Sequence, residues 1–325
     1  MRCNAAAVAV TLAMAGVSCA YGAAGDRGQF PNRPIRLVVA TTAGGSPDLI
    51  ARVVARHAEA ALGQNVIVDN RGGANGIIAS TLVAQAPPDG HTVLHTAPAV
   101  ILNPLVYRRL PYDVARDLAP VTAVANGLGY LMLVHPALPA RTVTDFVGLA
   151  RQKSLAYGSS VGSTIHLANE LFNLRAGVQV RLVPYKGGAE ALNALAGGEI
   201  QLLLSPPTAA LPFVQSGRLR AIAFTGSKRF SRLPDVPLVS EAGIPYVVDF
   251  TWNAWFAPAK TPPEILDRLH AAVREALKAP KVLEFLEAAA FVPVGSTPAE
   301  FRAFVAAETK RYADLMRETK IPMQN

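Results

Sequence analysis

Strand-like runs alternate with helical patterns along most of this chain, and glycine-rich turns lie between them. The first run is apolar apart from Arg36, which is typical of a parallel strand covered on both faces. Ser46 is placed to cap the next helix, with Pro47 as its first residue and Gly63 at its end. The alternation predicts strands at 35–40, 65–68 and 92–95 and helices at 46–63 and 77–85. This βαβαβ order predicts an α/β fold.

A second series of the same kind begins near residue 130. It predicts strands at 131–134, 155–158, 179–183, 200–204 and 220–224, and helices at 142–152, 163–174 and 189–196. From Pro262 onward the pattern is mainly helical, and these helices are expected to return to the first unit. Roughly 300 residues are too many for one ordinary core, so two domains are expected. We expect a first lobe of residues 30–130 plus 250–325, a second of 131–249, and a cleft between them.

The first 24 residues predict export. Arg2 is the only charge before Asp26, residues 5–17 are apolar, and small residues follow up to Ala24, as in a cleavable signal peptide. The run is too short to cross a bilayer core of roughly 30 Å. A buried N-terminal helix is one alternative. A lipid anchor at Cys19 is another, but the large aliphatic residue usual three places before such a cysteine is missing.

Composition narrows the classes of site. Both cysteines, Cys3 and Cys19, lie in the leader, so the mature chain offers neither a disulfide nor a thiolate metal site. The net charge is +8, but the basic residues are scattered and form no stripe with aromatics, so no nucleic-acid binding is expected. The histidines lack metal-ligand spacing with carboxylates. The turn at 72–76 lacks nucleotide-binding spacing, so neither metal nor cofactor is expected.

The turn at 41–48 follows the first strand, at the edge where open α/β sheets bind ligands. Gly44 and Gly45 allow backbone N–H groups to approach a ligand, and the N-terminus of the following helix favours an anion there. Asp48, in the first helical turn, is placed to accept a hydrogen bond from a ligand or to complement the helix dipole.

A second turn at 158–166 again joins a strand to a helix, and Ser163 is placed to cap that helix. Its letters match G-x-S-x-G, so a serine hydrolase with Ser160 as nucleophile is an alternative function. However, no oxyanion loop is evident, and His270 belongs to an amphipathic C-terminal pattern. His166 lies one turn after Ser163 on the same helix, and we interpret it as anchoring the loop by a hydrogen bond.

From Phe30 to about Met316 the chain resembles the Bug proteins, the periplasmic solute receptors of tripartite tricarboxylate transporters. The resemblance lies in the joint order of FPNRPIRLVV, AGGSPDLIARVVA, LGQNVIVDNRGGANGIIAS, YGSSVGSTIHLANELF, VPYKGGAEALNAL and WNAWFAPAKTPPEIL. It implies a type II periplasmic binding protein fold, with two α/β lobes, a hinge and a ligand cleft. It also implies a monomeric periplasmic protein without catalytic activity. Its ligand would be a small carboxylate, such as a dicarboxylate, an acidic amino acid or an aromatic acid.

The resemblance implies two kinds of partner, membrane transporter subunits or the ectodomain of a sensor kinase. An exported adaptor that binds its ligand weakly is the third alternative, beside the receptor and the hydrolase. Matched position by position, the ligand-binding residues are Thr41, Thr42, Ala43, Gly44, Gly45, Asp48, Thr96, Ser159, Gly162, Ser163, His166, Tyr185, Gly187 and Ser205.

The chain departs from the family pattern at a few positions. Ala40 and Thr41 stand where the family often has Pro-Phe, which makes the pocket mouth more polar. Ala194, Gln201 and Ser205 stand where members often carry Asp. Loss of acidic groups near the cleft is expected to weaken any preference for an ammonium group on the ligand.

Overall fold

The computed structural model describes residues 30–249 and 251–324. The predicted signal peptide, at residues 1–24, and both cysteines lie outside the described residues. Within the described ranges, none of the helices combines the length and the apolar character that a membrane span requires.

The elements alternate as the sequence pattern predicts. The strands are β1 (Ile35–Val39), β2 (Val66–Asn70), β3 (Thr92–Thr96), β4 (Leu118–Gly127), β5 (Leu131–Val134), β6 (Ala156–Ser159), β7 (Arg181–Pro184), β8 (Leu203–Ser205), β9 (Arg220–Phe224), β10 (Trp252–Pro258) and β11 (Phe291–Pro293). The helices are α1 (Ser46–Leu62), α2 (Ile77–Ala84), α3 (Ala99–Val106), α4 (Val114–Asp117), α5 (Val143–Gln152), α6 (Thr164–Ala176), α7 (Gly188–Ala196), α8 (Pro207–Gln215), α9 (Pro263–Ala276), α10 (Pro280–Ala288) and α11 (Pro298–Thr319).

The first lobe is built on a six-stranded sheet of order β11-β4-β10-β3-β1-β2. β1 runs parallel to β2 and β3, whereas β10 runs antiparallel to β3 and β4. On one face α1 and α9 share an apolar core with β1, in which Leu37, Val54 and Leu269 are fully buried. This core fixes the direction of α1, whose N-terminus lies directly after the end of β1.

The second lobe contains a three-stranded sheet, β8-β5-β9, and a parallel pair, β6-β7. A bridge between Tyr157 and Leu202 connects the two, and the Oε1 of Gln201 accepts a hydrogen bond from the Ala156 N–H at 3.0 Å. α6, α7 and α8 therefore begin near the carboxyl ends of β6, β7 and β8. This is the same strand-to-helix arrangement as β1 and α1 in the first lobe.

Two connections between the lobes lie side by side, one from β4 to β5 and the other from β9 to β10. The Thr225 N–H donates to the Tyr130 carbonyl at 2.9 Å. Gly226 allows the close approach, because a Cβ there would lie 2.1 Å from the Leu128 carbonyl oxygen. The two connections are thus held against each other where the chain passes between the lobes.

The predicted elements are present with end shifts of up to three residues, and two kinds of difference are informative. α1 begins at Ser46 with Gly45 as its N-cap, so the assignment of Ser46 as the cap was wrong. β4, β10 and β11 were not predicted as strands. All seven residues of β10 are buried, and a strand covered on both faces shows no alternation to find.

Candidate ligand-binding cleft

A pocket of about 460 Å³ lies between the two lobes, lined by loops from both. Half of the predicted ligand-binding residues line it: Thr41, Thr42, Gly44, Gly45, Ser163, Gly187 and Ser205. The other half lie outside the lining: Ala43, Asp48, Thr96, Ser159, Gly162, His166 and Tyr185. The turns that the sequence singled out meet at one cleft. Several of the predicted residues lie outside the lining, and two of them, Asp48 and His166, accept hydrogen bonds from the turns.

Among the described residues, the starts of five helices line this pocket. The lining includes Ser46 of α1, Ala99 of α3, Thr164 of α6, Gly188 of α7 and Thr208 of α8. The first N–H groups of a helix have no intrahelical partner, and each N-terminus carries a partial positive charge. Among the described residues, no Asp or Glu lines the pocket, and Lys186 is its cation. The pocket therefore favours an anion.

The first-lobe turn is held in place by Asp48. Gly44 adopts a left-handed φ of 81°, and its N–H donates to the Asp48 Oδ2 at 2.8 Å. Asn70 donates to Oδ1 at 2.8 Å, and Arg52 forms a salt bridge with the same oxygen at 2.9 Å. Both carboxylate oxygens are thus occupied, and Asp48 is only 1% exposed.

The charge state of Asp48 follows from these contacts. Burial acts to raise the pKa of the carboxyl group, but the hydrogen bonds from Gly44, Asn70 and Arg52, with the Arg52 charge, outweigh it and lower the pKa. The carboxylate is therefore ionised at neutral pH. Because protein donors occupy both of its oxygens, Asp48 shapes the loop that faces the pocket.

The second-lobe turn is held in place by His166 in the same way. Gly162 has a left-handed φ of 72°, and its N–H donates to the His166 Nδ1 at 3.1 Å. Burial lowers the pKa of His166, against the opposing charge of Glu170. Since Nδ1 accepts a hydrogen bond, the ring is neutral. This contact confirms the interpretation that His166 anchors the loop.

The serines of the second turn are engaged with their own loop. Ser163 caps α6 by accepting the His166 N–H at 3.2 Å, and its hydroxyl lies 2.8 Å from that of Ser159. Ser160 donates to the Tyr185 carbonyl at 2.8 Å. Across residues 30–249 and 251–324, no histidine ring is hydrogen-bonded to Ser160, so the structure gives the hydrolase alternative no catalytic pair.

Thr96, Tyr185 and Ala43 have different surroundings. Thr96 is buried at the end of β3, and its hydroxyl donates to the Ala97 carbonyl at 3.2 Å. Tyr185 lies against Gly158, where an added Cβ would be 3.1 Å from its ring. Ala43 is exposed beside Gly44. These three positions adjoin the lining residues without lining the pocket themselves.

Two hydroxyl groups of the lining lack a protein hydrogen-bond partner, and neither was predicted. They are the Oγ of Ser46, a residue only 6% exposed, and the Oγ1 of Thr208, and both are buried. A buried hydroxyl without a partner is costly, and an anion in the pocket is a suitable acceptor. Ser46 had a signal, its place at a helix start. Thr208 follows two prolines and had none.

Asn75 joins the two lobes across the cleft, which the sequence also did not indicate. Its backbone has a left-handed φ of 49°, unusual for a residue other than glycine. Its Nδ2 donates to the Asn103 Oδ1 at 2.8 Å and to the Gly162 carbonyl at 3.1 Å. Asn75 therefore connects the first lobe directly to the second-lobe turn that lines the pocket.

The described residues contain no group of three or more His, Cys, Asp or Glu side chains that could hold a metal ion. No such group is found in the pocket lining or elsewhere among these residues. The hydrogen-bonding groups that the pocket offers are backbone N–H groups, hydroxyls, amides and one ammonium group.

Comparison with known proteins agrees with this geometry. A family model described as the tripartite tricarboxylate transporter family receptor matches residues 50–321. The protein BugT of Bordetella pertussis is 35% identical over 320 residues, which cover 97% of this chain and 96% of BugT.

Solved structures are similar over nearly the whole length. Rpa4515 of R. palustris, determined with adipate, superposes with a TM-score of 0.86 at 35% identity, covering 91% of this chain and 100% of Rpa4515. MatC from Rhodopseudomonas palustris, with bound malate, superposes with a TM-score of 0.80 at 30% identity, covering 88% and 99% of the two chains. The similarity confirms the predicted periplasmic binding protein fold with two lobes.

Proposed function

This chain belongs to the tripartite tricarboxylate transporter receptor family, and on that basis we propose that it captures a small carboxylate in its interlobe cleft without chemical turnover. The adipate of Rpa4515 and the malate of MatC support a carboxylate ligand. After capture, the receptor delivers the ligand to membrane transporter subunits or presents it to a sensor ectodomain.

One observation carries the proposal, namely the meeting of five helix N-termini at a pocket whose described lining has no carboxylate. Each N-terminus supplies about half a unit of positive charge, and the first N–H groups are free donors except at Pro47 of α1 and Pro207 of α8. Ser46 and Thr208 add buried hydroxyls without partners. A carboxylate has about four lone-pair sites and can satisfy several of these donors together.

The contacts across the cleft support capture by closure. Asn75 of the first lobe donates to the carbonyl of Gly162. A Cβ added at Gly187 would lie 3.8 Å from the Thr42 hydroxyl oxygen. A ligand that contacts both lobes stabilises this arrangement relative to an open one, as in hinge-closing receptors generally.

The wider organisation belongs to the same proposal. Residues 1–24 form a signal peptide that directs the protein to the periplasm. Residues 30–130 with 250–325 form the first lobe, and 131–249 form the second. The sheet arrangement supports this division, because β10 and β11 join the sheet of β1–β4. The receptor acts as a monomer.

A substitution pair at Gly188 tests the role of the helix N-termini. Gly188 is the first residue of α7, its N–H has no acceptor among the described residues, and the space for a Cβ is open. Proline is well tolerated at this helix position but has no N–H. Gly187 before it is extended, as proline requires. Gly188→Pro therefore removes one donor, and Gly188→Ala retains it.

We expect Gly188→Pro to weaken carboxylate binding about tenfold, since a hydrogen bond to a charged group contributes about 1.5 kcal/mol. Gly188→Ala should bind nearly as tightly as the wild type. Calorimetric titration with mono-, di- and tricarboxylates, amino acids and aromatic acids measures both. Equal affinities of the two variants would remove the α7 N-terminus from the site. If the whole panel fails to bind and no ligand co-purifies by native mass spectrometry, the receptor function is wrong.

A further inference from the structure

The pocket has an apolar wall as well as its anion-binding end. Beyond the first turns of α7 and α8, it is lined by Leu192, Asn193, Pro212 and Phe213, and Leu203 and Leu204 of β8 also belong to the lining. Among these side chains only the amide of Asn193 offers hydrogen bonds. A ligand that fills the pocket therefore places much of its body against hydrocarbon.

Helix geometry separates this wall from the helix N-termini. A helix rises 1.5 Å per residue, so Phe213, six residues after the start of α8, lies about 9 Å along the axis. Leu192 lies about 6 Å from the start of α7 by the same reasoning. The free N–H groups of the first turns do not reach that far. The pocket thus has an anion-binding end and an apolar end.

The charged side chain in the described lining, Lys186, is positive. Lys186 immediately precedes the N-cap of α7, so its charge adds to the anion-binding end. No carboxylate in the described lining is available to a ligand cation. Gln201, one of the positions where related receptors often have Asp, uses its Oε1 to hold the Ala156 N–H. An ammonium group on the ligand would lose water without gaining an acidic partner.

Phe213 forms a fixed surface within the apolar wall. The guanidinium carbon of Arg218 lies 4.7 Å from its ring centroid, which is within cation–π range. This contact holds the ring from outside the pocket, since Arg218 does not line it. A ligand chain or ring packing on Phe213 therefore meets a ring whose other contacts include the Arg218 guanidinium.

Building on the proposed function, we propose that this receptor selects carboxylates whose remaining body is unsubstituted hydrocarbon, and that it rejects amino acids and polyhydroxylated acids. The carboxylate binds at the helix N-termini, and the hydrocarbon packs on Leu192, Pro212 and Phe213. A hydroxyl or ammonium group that packs against these side chains would be desolvated without a partner, because Asn193 is the single polar side chain in this part of the described lining and carries no charge.

Two matched pairs of probes test this selectivity by calorimetry. Adipate and galactarate share one six-carbon skeleton, but galactarate carries four hydroxyl groups. Hexanoate and 6-aminohexanoate differ by a terminal ammonium group. We expect at least tenfold tighter binding of adipate than galactarate, and of hexanoate than 6-aminohexanoate. Equal or tighter binding of either substituted probe overturns the selectivity while leaving the carboxylate receptor function intact.

Two other results of the binding measurements would each contradict a proposal. Binding of other carboxylates in the panel, but of none of these four, overturns the selectivity alone. Failure of every carboxylate to bind contradicts the receptor function itself.

Phe213→Ala should weaken adipate and hexanoate binding at least fivefold and reduce both selectivity ratios, whereas Phe213→Leu should retain them. Unchanged ratios in Phe213→Ala would show that the apolar wall does not set specificity.

Discussion

The two turns that line the cleft are built alike although they belong to different lobes. In each, a glycine with left-handed φ donates its N–H to a side chain four residues later in the following helix: Gly44 to Asp48 and Gly162 to His166. In the first turn the acceptor is an ionised carboxylate with three protein donors. In the second it is a neutral imidazole. The same backbone shape is thus held by a strong support in one lobe and a weaker, titratable one in the other.

Removal of the Asp48 carboxylate should have the largest effect. Asp48→Ala leaves the Gly44 N–H and Asn70 without their acceptor, so we expect a loss of about 3 kcal/mol in the free energy of unfolding. Ligand affinity should fall more than tenfold with the loss of loop shape. Denaturant unfolding and calorimetry measure the two effects.

Asp48→Asn is the matched control, because its amide oxygen can still accept from Gly44, while the contacts of Oδ1 with Asn70 and Arg52 are lost. It should lose less stability than Asp48→Ala. If the two variants were equally destabilised, the contacts of Oδ1, and not the hydrogen bond from the loop, would be the support.

The two glycines differ in what surrounds them, which gives the second prediction. A Cβ on Gly162 would lie 2.7 Å from the Cγ1 of Val106, across the cleft, whereas a Cβ on Gly44 has open space. We expect Gly162→Ala to cost about 2 kcal/mol through backbone conformation and steric overlap, and Gly44→Ala about 1 kcal/mol through conformation alone. Thermal unfolding measures both. A Gly44→Ala variant as damaged as Gly162→Ala would show that contact across the cleft is unimportant.

Loss of the imidazole acceptor should have a smaller effect. His166→Leu keeps the bulk of the side chain but leaves the Gly162 N–H without its acceptor, so we expect a loss of about 1.5 kcal/mol. In His166→Asn the amide oxygen takes the place of Nδ1, and most of the stability should remain. Denaturant unfolding of both variants tests this, and equal losses would refute the hydrogen bond as the support.

The smallest effect is the pH dependence that His166 gives to the second turn. The folded pKa of His166 lies below its ordinary 6.5, so the unfolded chain binds the proton more readily. Stability therefore falls as pH drops below 6.5 toward the folded pKa. Asp48, with its lowered pKa, stays ionised throughout.

Between pH 7 and 5 we expect His166 to lower the free energy of unfolding by less than the substitutions above do. His95 contributes in parallel, because burial lowers its pKa to about 4 against the opposing effects of Asn253 and Asp48. The His95 effect is common to the wild type and His166→Asn. A comparison of their melting temperatures at the two pH values isolates His166, and identical pH slopes would contradict its titration.

The alternating elements could be predicted because their signals are local. Apolar runs and glycine or proline boundaries marked β1, α1, β5 and β9 within a residue of their ends. β10 carried no such signal, since burial of every residue removes the alternation. Its place at the centre of the first sheet depends on contacts with β3 and β4, which are distant in sequence.

The candidate site could likewise be predicted only in part. The turns that precede α1, α6 and α7 were predictable, because glycine and capping residues fix local backbone shape, whereas the starts of α3 and α8 were not predicted. The direction of a side chain was not predictable. Asp48 lies behind its loop because Asn70 and Arg52 hold it there, and Asn70 comes from a neighbouring strand that local sequence does not relate to it.

The helix N-termini at the pocket bear on how such receptors diversify. A point substitution can alter any side chain, but only proline removes a backbone N–H. Anion capture by the starts of α1, α6, α7 and α8 is therefore robust to mutation. Leu192 and Phe213 present side chains, which a point substitution does change. New ligand specificities can arise by single substitutions in the apolar wall while the ability to hold a carboxylate is inherited unchanged.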